Sequence, residues 1–510
     1  MSKNKQGLES KSTQSRWWQM LTGALTALII IALSVAVMVF KPLSSTIDVG
    51  HLQDTGVRNV SQLNSTAYCP GRMALADTTA FGEVKPSEGN IASASRFVAF
   101  GPVYSSTVSA LSGSGREQLA DHDLDDDEPV QAWSGSADKG ASLHRTQLLQ
   151  AAQGAGAAGS VVSWASQGDL KGVQAASCLT ASFEHSFLLP STQQGWSQQL
   201  VVYNASTKAT SVNIEAYGSK ESGKLALATS GGMVVKATSE ATFDIAAAAP
   251  EQDGILVRVS GTDAPVAAMV RVSAMAGTQS KGSDFAMNAG KSARHVALAG
   301  LEAGDQTRVL LAGQSKGKVR VSWAKPDGLH EAQTVNIDSQ KVVSVDLGVA
   351  PDDVAGLQIE ADTAVYAAAQ ATRSGDEDQA DFAFITAVPA TKVSAMVLPE
   401  HSVGRILLMN PGKSEARAHL YGFDGEGRYA ANRQVDIQPG EGIGLDLDEI
   451  GKNVAIVRLE DDSKQLVWNM RVGTPDVSEA NVAGLALLQP TSLMPQTLTV
   501  RAQPTQGLVQ

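Results

Sequence analysis

The sequence predicts a mostly β chain, with an N-terminal transmembrane helix followed by tandem immunoglobulin-like β-sandwich domains. Three observations carry this reading. Residues 17–40 contain no charged side chain. Three later stretches repeat one strand-and-turn pattern at a spacing of about 100 residues, too long for solenoid repeats of ~20–50 and suited to a domain. Within each repeat, short runs alternate apolar and polar residues between Gly-containing turns, so one face of every strand turns inward.

The N-terminus sets the placement. A helix over residues 17–40 rises ~1.5 Å per residue and spans about 36 Å, enough for a hydrocarbon core of ~30 Å with some tilt. Trp17 and Trp18 stand at its start, where indoles favour the lipid–water interface. Lys3, Lys5, Lys11 and Arg16 precede it against Glu9 alone, so the positive-inside bias leaves residues 1–16 as a cytoplasmic tail and exports everything after Lys41. Ser34-Val35-Ala36 also offers a small-x-small cleavage site, though the apolar run continues through Phe40. The chain is acidic, with a net charge of −12, which argues against nucleic acid or another polyanion held by charge. Cys69 and Cys178 are the two cysteines and both fall outside by this topology. An even count in an oxidising compartment points to one disulfide, closing a loop of about 110 residues for ~4 kcal/mol of stability.

The repeats open on Leu188-Leu189-Pro190, Val296-Ala297-Leu298 and Val397-Leu398-Pro399. They continue through the strands at Leu200, Arg308 and Arg405 and close on Leu256-Val257-Arg258-Val259, Leu357-Gln358-Ile359-Glu360 and Val457-Arg458-Leu459-Glu460. Asp284-Phe285-Ala286 and Asp381-Phe382-Ala383 mark two junctions. The division is therefore three sandwiches, at 183–288, 289–388 and 389–490, and a flexible tail at 491–510. Residues 41–182 read as a more irregular β domain, with a long loop over 112–140, an acidic run at 121–128 and a short helix over 147–153.

Cys69-Pro70, Ser177-Cys178-Leu179, Asn410-Pro411-Gly412 and Gly422-Phe423-Asp424-Gly425 together resemble a family of uncharacterised, membrane-anchored extracytoplasmic proteins of actinobacteria, catalogued only as a domain of unknown function. The likeness covers about residues 60–490 and rests on turn chemistry and a cysteine pair. Asn204-Ala205-Ser206 and Ala312-Gly313-Gln314 depart from its turn motif. The resemblance implies an envelope location and brings no activity with it.

No motif specifies catalysis, cofactor or metal. Gly154-Ala155-Gly156-Ala157-Ala158-Gly159 has dinucleotide-fingerprint spacing, yet strand-like residues follow it where a helix is required, so it reads as a turn. Gly290-Lys291-Ser292 lacks the earlier glycine of a phosphate loop, because Phe285 stands there. Asp121, Asp123 and Asp125 match the first ligands of a calcium loop, but Asp126 and Ala132 replace its required Gly and Glu; a solvated acidic loop or a loose divalent site remain. The histidines show no metal-ligand pairing, and no Gly-x-Ser-x-Gly elbow marks a nucleophile. Trp133, beside the acidic run, is the expected exposed aromatic, and Trp323 and Trp468 the expected core ones. The chain thus reads as a non-enzymatic envelope protein held in lipid by its helix. It would act as spacer, scaffold or binding surface, three strung-out sandwiches of ~40 Å reaching on the order of 100 Å. The alternatives are a module binding cell-wall glycan and an accessory subunit for an envelope enzyme or exporter.

Overall fold

The structure, a computed structural model, describes residues 56–75, 87–120, 130–277 and 279–502. The expected cytoplasmic tail, the helix over 17–40 and the acidic run at 121–128 lie outside these residues. Among the described residues no helix is long and apolar enough to cross a membrane. Residues 61–496 form one compact unit.

This unit holds four lobes of antiparallel strands, each of two sheets except the third, whose strands join into one seven-stranded sheet. Lobe II contains β11 (Glu184–Leu189), β12 (Trp196–Asn204), β13 (Thr210–Tyr217), β14 (Gly232–Val235), β15 (Ser239–Asp244), β16 (Ile255–Gly261), β17 (Ala267–Ala276) and β18 (Gln279–Ala286). Its sheets run β11-β16-β13-β14 and β15-β12-β17-β18. The first strand therefore lies beside the sixth, whereas in a constant-type immunoglobulin domain it lies beside the second.

Lobe III repeats the order with β19 (Ala293–Ala299), β20 (Gln306–Gly313), β21 (Gly317–Lys325), β22 (Gly328–Ile337), β23 (Val342–Val349), β24 (Gly356–Ser374) and β25 (Ala380–Thr386). Here β24 serves as sixth and seventh strand at once: Gly356–Ala361 pairs with β21, and Val365–Thr372 with β20. The corresponding break in lobe II falls at Thr262-Asp263-Ala264-Pro265, and no Pro or Gly interrupts Ala361-Asp362-Thr363-Ala364. Lobe IV contains β26 (Val393–Val397), β27 (Val403–Met409), β28 (Ala416–Phe423), β29 (Tyr429–Ile437), β30 (Gly442–Asp446), β31 (Ile456–Asp461), β32 (Val467–Gly473), β33 (Ala486–Leu488) and β34 (Thr491–Ser492).

The N-terminal region is a fourth copy. Lobe I runs β2 (Asn64–Cys69), β3 (Ala92–Phe100), β4 (Val103–Ala110), β5 (Glu117–Ala120), β6 (Val130–Gly135), β7 (Ser142–Leu148), β8 (Gly156–Ala165), β9 (Gly172–Ser177) and β10 (Leu179–Thr180). Its sheets are β10-β2-β7-β4-β5 and β6-β3-β8-β9, the lobe IV order strand for strand. This corrects three expectations. The stretch 112–140 carries β5 and β6 rather than only loop, 147–153 holds the end of β7 rather than a helix, and the region shares the regular plan of the repeats. The expected tail from 491 also begins as structure: Thr491–Ser492 pairs with β26, and Leu493 is fully buried.

The lobes close into a ring. Lobe I meets II through Tyr68, Leu143, Val201, Tyr203 and Phe285. Lobe II meets III through Leu188, Leu256, Leu310 and Val342. Lobe III meets IV through Ala297, Ala324, Leu407 and Met409. Lobe IV returns to I through Val397, Phe423 and Leu493 against Val98 and Phe100. The lobes lie side by side, so their lengths do not add into the expected reach.

The last core strand of each lobe, β9, β18, β25 or β33, stands at the centre and is covered on both faces, which suits a nearly unbroken apolar run. Successive side chains point to opposite faces. In β25, Ala383 and Ile385 enter the core of lobe III, and Phe382 and Phe384 enter that of lobe II. In β33, Ala486 and Leu488 fill lobe IV, while Leu485 just before it and Leu487 fill lobe III. In β9, Val173 and Ala175 reach the core of lobe IV. In β18, Ala286 faces lobe II and Phe285 faces lobe I. Each lobe lends one face of its last strand to the lobe before it.

By itself, β1 (Gly56–Ser61) pairs with β35 (Thr497–Ala502) in a two-stranded sheet.

Candidate functional site

The ring axis has two unlike ends. Near the starts of the central strands sits Asp381, with no exposed surface. Its Oδ2 accepts the N–H of Val173 at 2.8 Å and of Leu485 at 2.9 Å. Its Oδ1 accepts those of Phe382 at 3.0 Å and Ser283 at 3.3 Å. Each lobe supplies one donor, so a single carboxylate ties all four. Room for it comes from glycine: a Cβ on Gly172 would lie 2.6 Å from Oδ2 and one on Gly282 2.8 Å from Oδ1, and both residues have positive φ. Gln379 reinforces the hub, accepting the N–H of Ala483 at 2.7 Å and donating to the carbonyls of Lys171 and Ala483.

Asp284, the repeat partner of Asp381, is also sealed in this hub. Its Oδ2 accepts the Phe384 N–H at 2.8 Å, and its Oδ1 has no hydrogen-bond partner. Burial pushes both carboxyls up from their ordinary range. The four N–H donors oppose this at Asp381 and favour its anion, whose charge drives Asp284 up further. Asp284 has fewer N–H donors than Asp381 to offset its burial.

At the other end, where the central strands finish, lies a cleft of about 930 Å³. Every lobe contributes the segment that follows its last strand: Cys178-Leu179, Met287-Asn288, Ala387-Val388-Pro389 and Gln489-Pro490. Charged groups on its wall include Glu184, Glu215, Arg258 and Lys291. Arg258 Nη1 lies 3.8 Å from Glu215, which Lys224 also holds at 2.9 Å, so opposite charges are interleaved. His185 is sequestered instead, its Nε2 donating to the Val266 carbonyl at 2.8 Å. Burial pulls its pKa down, so it stays neutral.

Cys69 and Cys178 are joined with a Cα–Cα distance of 4.3 Å. The bond fastens β2 to the segment leaving β9, across the two sheets of lobe I, and Cys178 forms part of the cleft wall. The glycines at 154–159 serve packing. Gly154 N–H bonds the Leu493 carbonyl at 2.9 Å, Gly156 lies under the Leu493 side chain, and a Cβ on Gly159 would stand 2.9 Å from Cys178 Sγ. Trp133, expected exposed, is half-buried and tilted against Phe97 at 5.8 Å, covering Gly135. Trp323 and Trp468 are buried.

One pair resembles a nucleophile and its base: Ser106 Oγ lies 2.8 Å from His144 Nε2. Both are sealed in the core of lobe I, and His144 Nδ1 has no partner where a triad places an orienting carboxylate. Burial pulls the His144 pKa down to about 4. The arrangement is a polar core contact. Among the described residues no group of three or more His, Cys, Asp or Glu could hold a metal ion.

Fold and site together define a class: a closed ring of four β lobes with a buried polar hub and an axial cleft. The chain belongs to a family of unknown function, DUF5719, whose model matches residues 132–448, from β6 of lobe I to just past β30 of lobe IV. Nine chains of solved structures match. One of them, the crystal structure of dimeric latent PorU from Porphyromonas gingivalis, is 11% identical over 68% of this chain, with a TM-score of 0.13. The chain spans 31% of that protein, and at that score the likeness carries no structural argument. A search of curated proteins finds no match.

Proposed function

We propose that this chain is a non-enzymatic binding scaffold of the cell envelope, anchored in the cytoplasmic membrane by residues 17–40 and presenting its ring outside the cytoplasm. One observation carries the reading: a rigid ring converges four inter-lobe segments on a single cleft. The large pKa displacements at Asp284, Asp381 and His144 fall on groups sealed in the hub or a lobe core, where they hold structure. Enzymes concentrate such groups in an open site. The disulfide supports an oxidising compartment. The immunoglobulin-like character expected of the sandwiches lies in the paired sheets of lobes I, II and IV, and side-by-side packing favours a binding surface over a long spacer.

Labelling in intact cells tests this. A Lys291→Cys variant of the full chain should react with a membrane-impermeant maleimide before lysis. Labelling that requires lysis would overturn the placement.

A further inference from the structure

The cleft does not end at the axis. A second pocket of about 290 Å³ opens between lobes II and III and shares Arg258 and Tyr366 with it. Lobe II lines this pocket with Tyr217, Leu256 and Arg258; lobe III adds Gln314, Gln340 and Tyr366. The two spaces adjoin at Arg258 and Tyr366, and together their walls are long for a small molecule and suited to a short oligomer.

Its chemistry is selective. Tyr217 and Tyr366 are half-buried, with their ring bodies fixed against the Leu256, Leu310 and Ala312 cluster. Such rings are rigid apolar surfaces with a polar tip. Charge along the groove is compensated. The Tyr217 hydroxyl donates to Glu215 at 3.5 Å, and Arg258 stands beside the same carboxylate. Burial pulls Arg258 down, and Tyr366, Tyr217 and Glu215 outweigh it and keep the guanidinium charged. A polyanion or polycation gains nothing from such a wall. Side-chain amides recur along it at Asn288, Gln314, Gln340 and Gln489. Asn288 commits its Oδ1 to the N–H groups of Ser186 and Gly290, which leaves its Nδ2 to donate. Flat apolar rings, uncharged donors and acceptors, and neutral balance match a sugar chain with C–H faces, hydroxyls and acetamido groups.

We infer that the groove between lobes II and III, adjoining the axial cleft, binds an oligosaccharide of N-acetylated hexosamines. Tyr217 and Tyr366 stack on sugar faces, and Arg258 and the amides bond hydroxyl and acetamido groups. This rests on the reading of the ring as a binding scaffold.

Saturation-transfer NMR on the full-length chain with tetra-N-acetylchitotetraose tests it. Transfer should be observed, and cellotetraose, which lacks the acetamido groups, should bind several-fold more weakly. Tyr217→Ala and Tyr366→Ala should each weaken binding roughly tenfold, with the melting temperature recording that the ring remains folded. Tyr366→Phe, which keeps the ring face, should retain most of the affinity. No transfer at roughly 10 mM sugar, equal binding of cellotetraose, or full binding by the Tyr217→Ala/Tyr366→Ala double variant would overturn the inference. Transfer to tetra-alanine in place of the saccharide would overturn it in favour of a peptide ligand. If the sugar fails while Lys291→Cys still labels in intact cells, the scaffold reading stands and the glycan assignment falls.

Discussion

The two ends of the ring axis are built from the same four strands and behave as opposites. Where the strands begin, Asp381 receives one N–H from each lobe and every acceptor position is filled. Where they end, the segments leaving them diverge around open space, with charges and amides along the wall. Such a buried polar cluster fixes structure: the Asp381 carboxylate is fully engaged, and the one oxygen left without a partner, Asp284 Oδ1, is sealed from solvent. The unsaturated end is where a ligand finds partners. Strong burial and displaced pKa values need not mark the functional surface.

Removing the clamp should have the largest effect. Asp381→Ala strands four buried N–H groups, each costing ~1–3 kcal/mol. A loss of at least ~5 kcal/mol in denaturant unfolding is expected; a loss below ~1 kcal/mol would mean the donors find other partners. Next comes the bond that joins lobe I to the cleft wall. Its loop separation is 109 residues, and the double variant Cys69→Ala/Cys178→Ala should lose ~4 kcal/mol of unfolding free energy.

His144 tests whether a sealed polar group away from the axis behaves like the hub. Its folded pKa, about 4, lies below the unfolded value. The unfolded chain therefore takes up a proton first as pH falls, and stability is lost between about pH 6.5 and 4. The loss amounts to about 3 kcal/mol at most. The stability gap between wild type and His144→Gln should narrow across that window; a constant gap would remove the assignment. Asp284 has the opposite sign. Its pKa is raised, so its contribution is present at low pH and fades as pH rises. Asp284→Asn, neutral at every pH, should gain steadily on wild type as pH rises from about 4 toward neutrality; a difference that stays constant with pH would remove the assignment. The smallest effect belongs to the cleft: Lys291→Ala should change stability by less than ~0.5 kcal/mol, in keeping with a wall that does not hold the fold.

Much of this architecture was legible. The spacing of Asp284-Phe285-Ala286 and Asp381-Phe382-Ala383 marks homologous junctions, and alternation within them gives central strands. Asn204 and Asn410 make equivalent turns although Asn204-Ala205-Ser206 departs from the Asn410-Pro411-Gly412 motif: each donates its Nδ2 to a carbonyl four residues on and accepts an N–H two residues on. The role of Asp381 was not legible, because three of its donors belong to residues about 100 or more positions away and carry no side-chain signature. The fourth repeat was hidden for a local reason. In lobe I, β5 and β6 are short and flank an acidic stretch, and the matching strands lack the Leu- and Val-rich runs of lobes II–IV. Ring closure was also illegible, since period-two alternation shows that a strand has two buried faces and not whose core receives each. The groove escaped notice because Tyr217 and Arg258 come from one repeat and Tyr366 from the next, whereas Trp133, the aromatic that stood out, covers a glycine.

The lending of strand faces around the ring has a consequence for biogenesis. Val173 and Ala175 of β9 are covered by lobe IV, the last part of the ring to be made. During synthesis that flank stays bare while ~300 residues emerge, which at ~5–20 residues per second takes about 15–60 seconds. Lobe I therefore cannot bury this flank of β9 until lobe IV has been made.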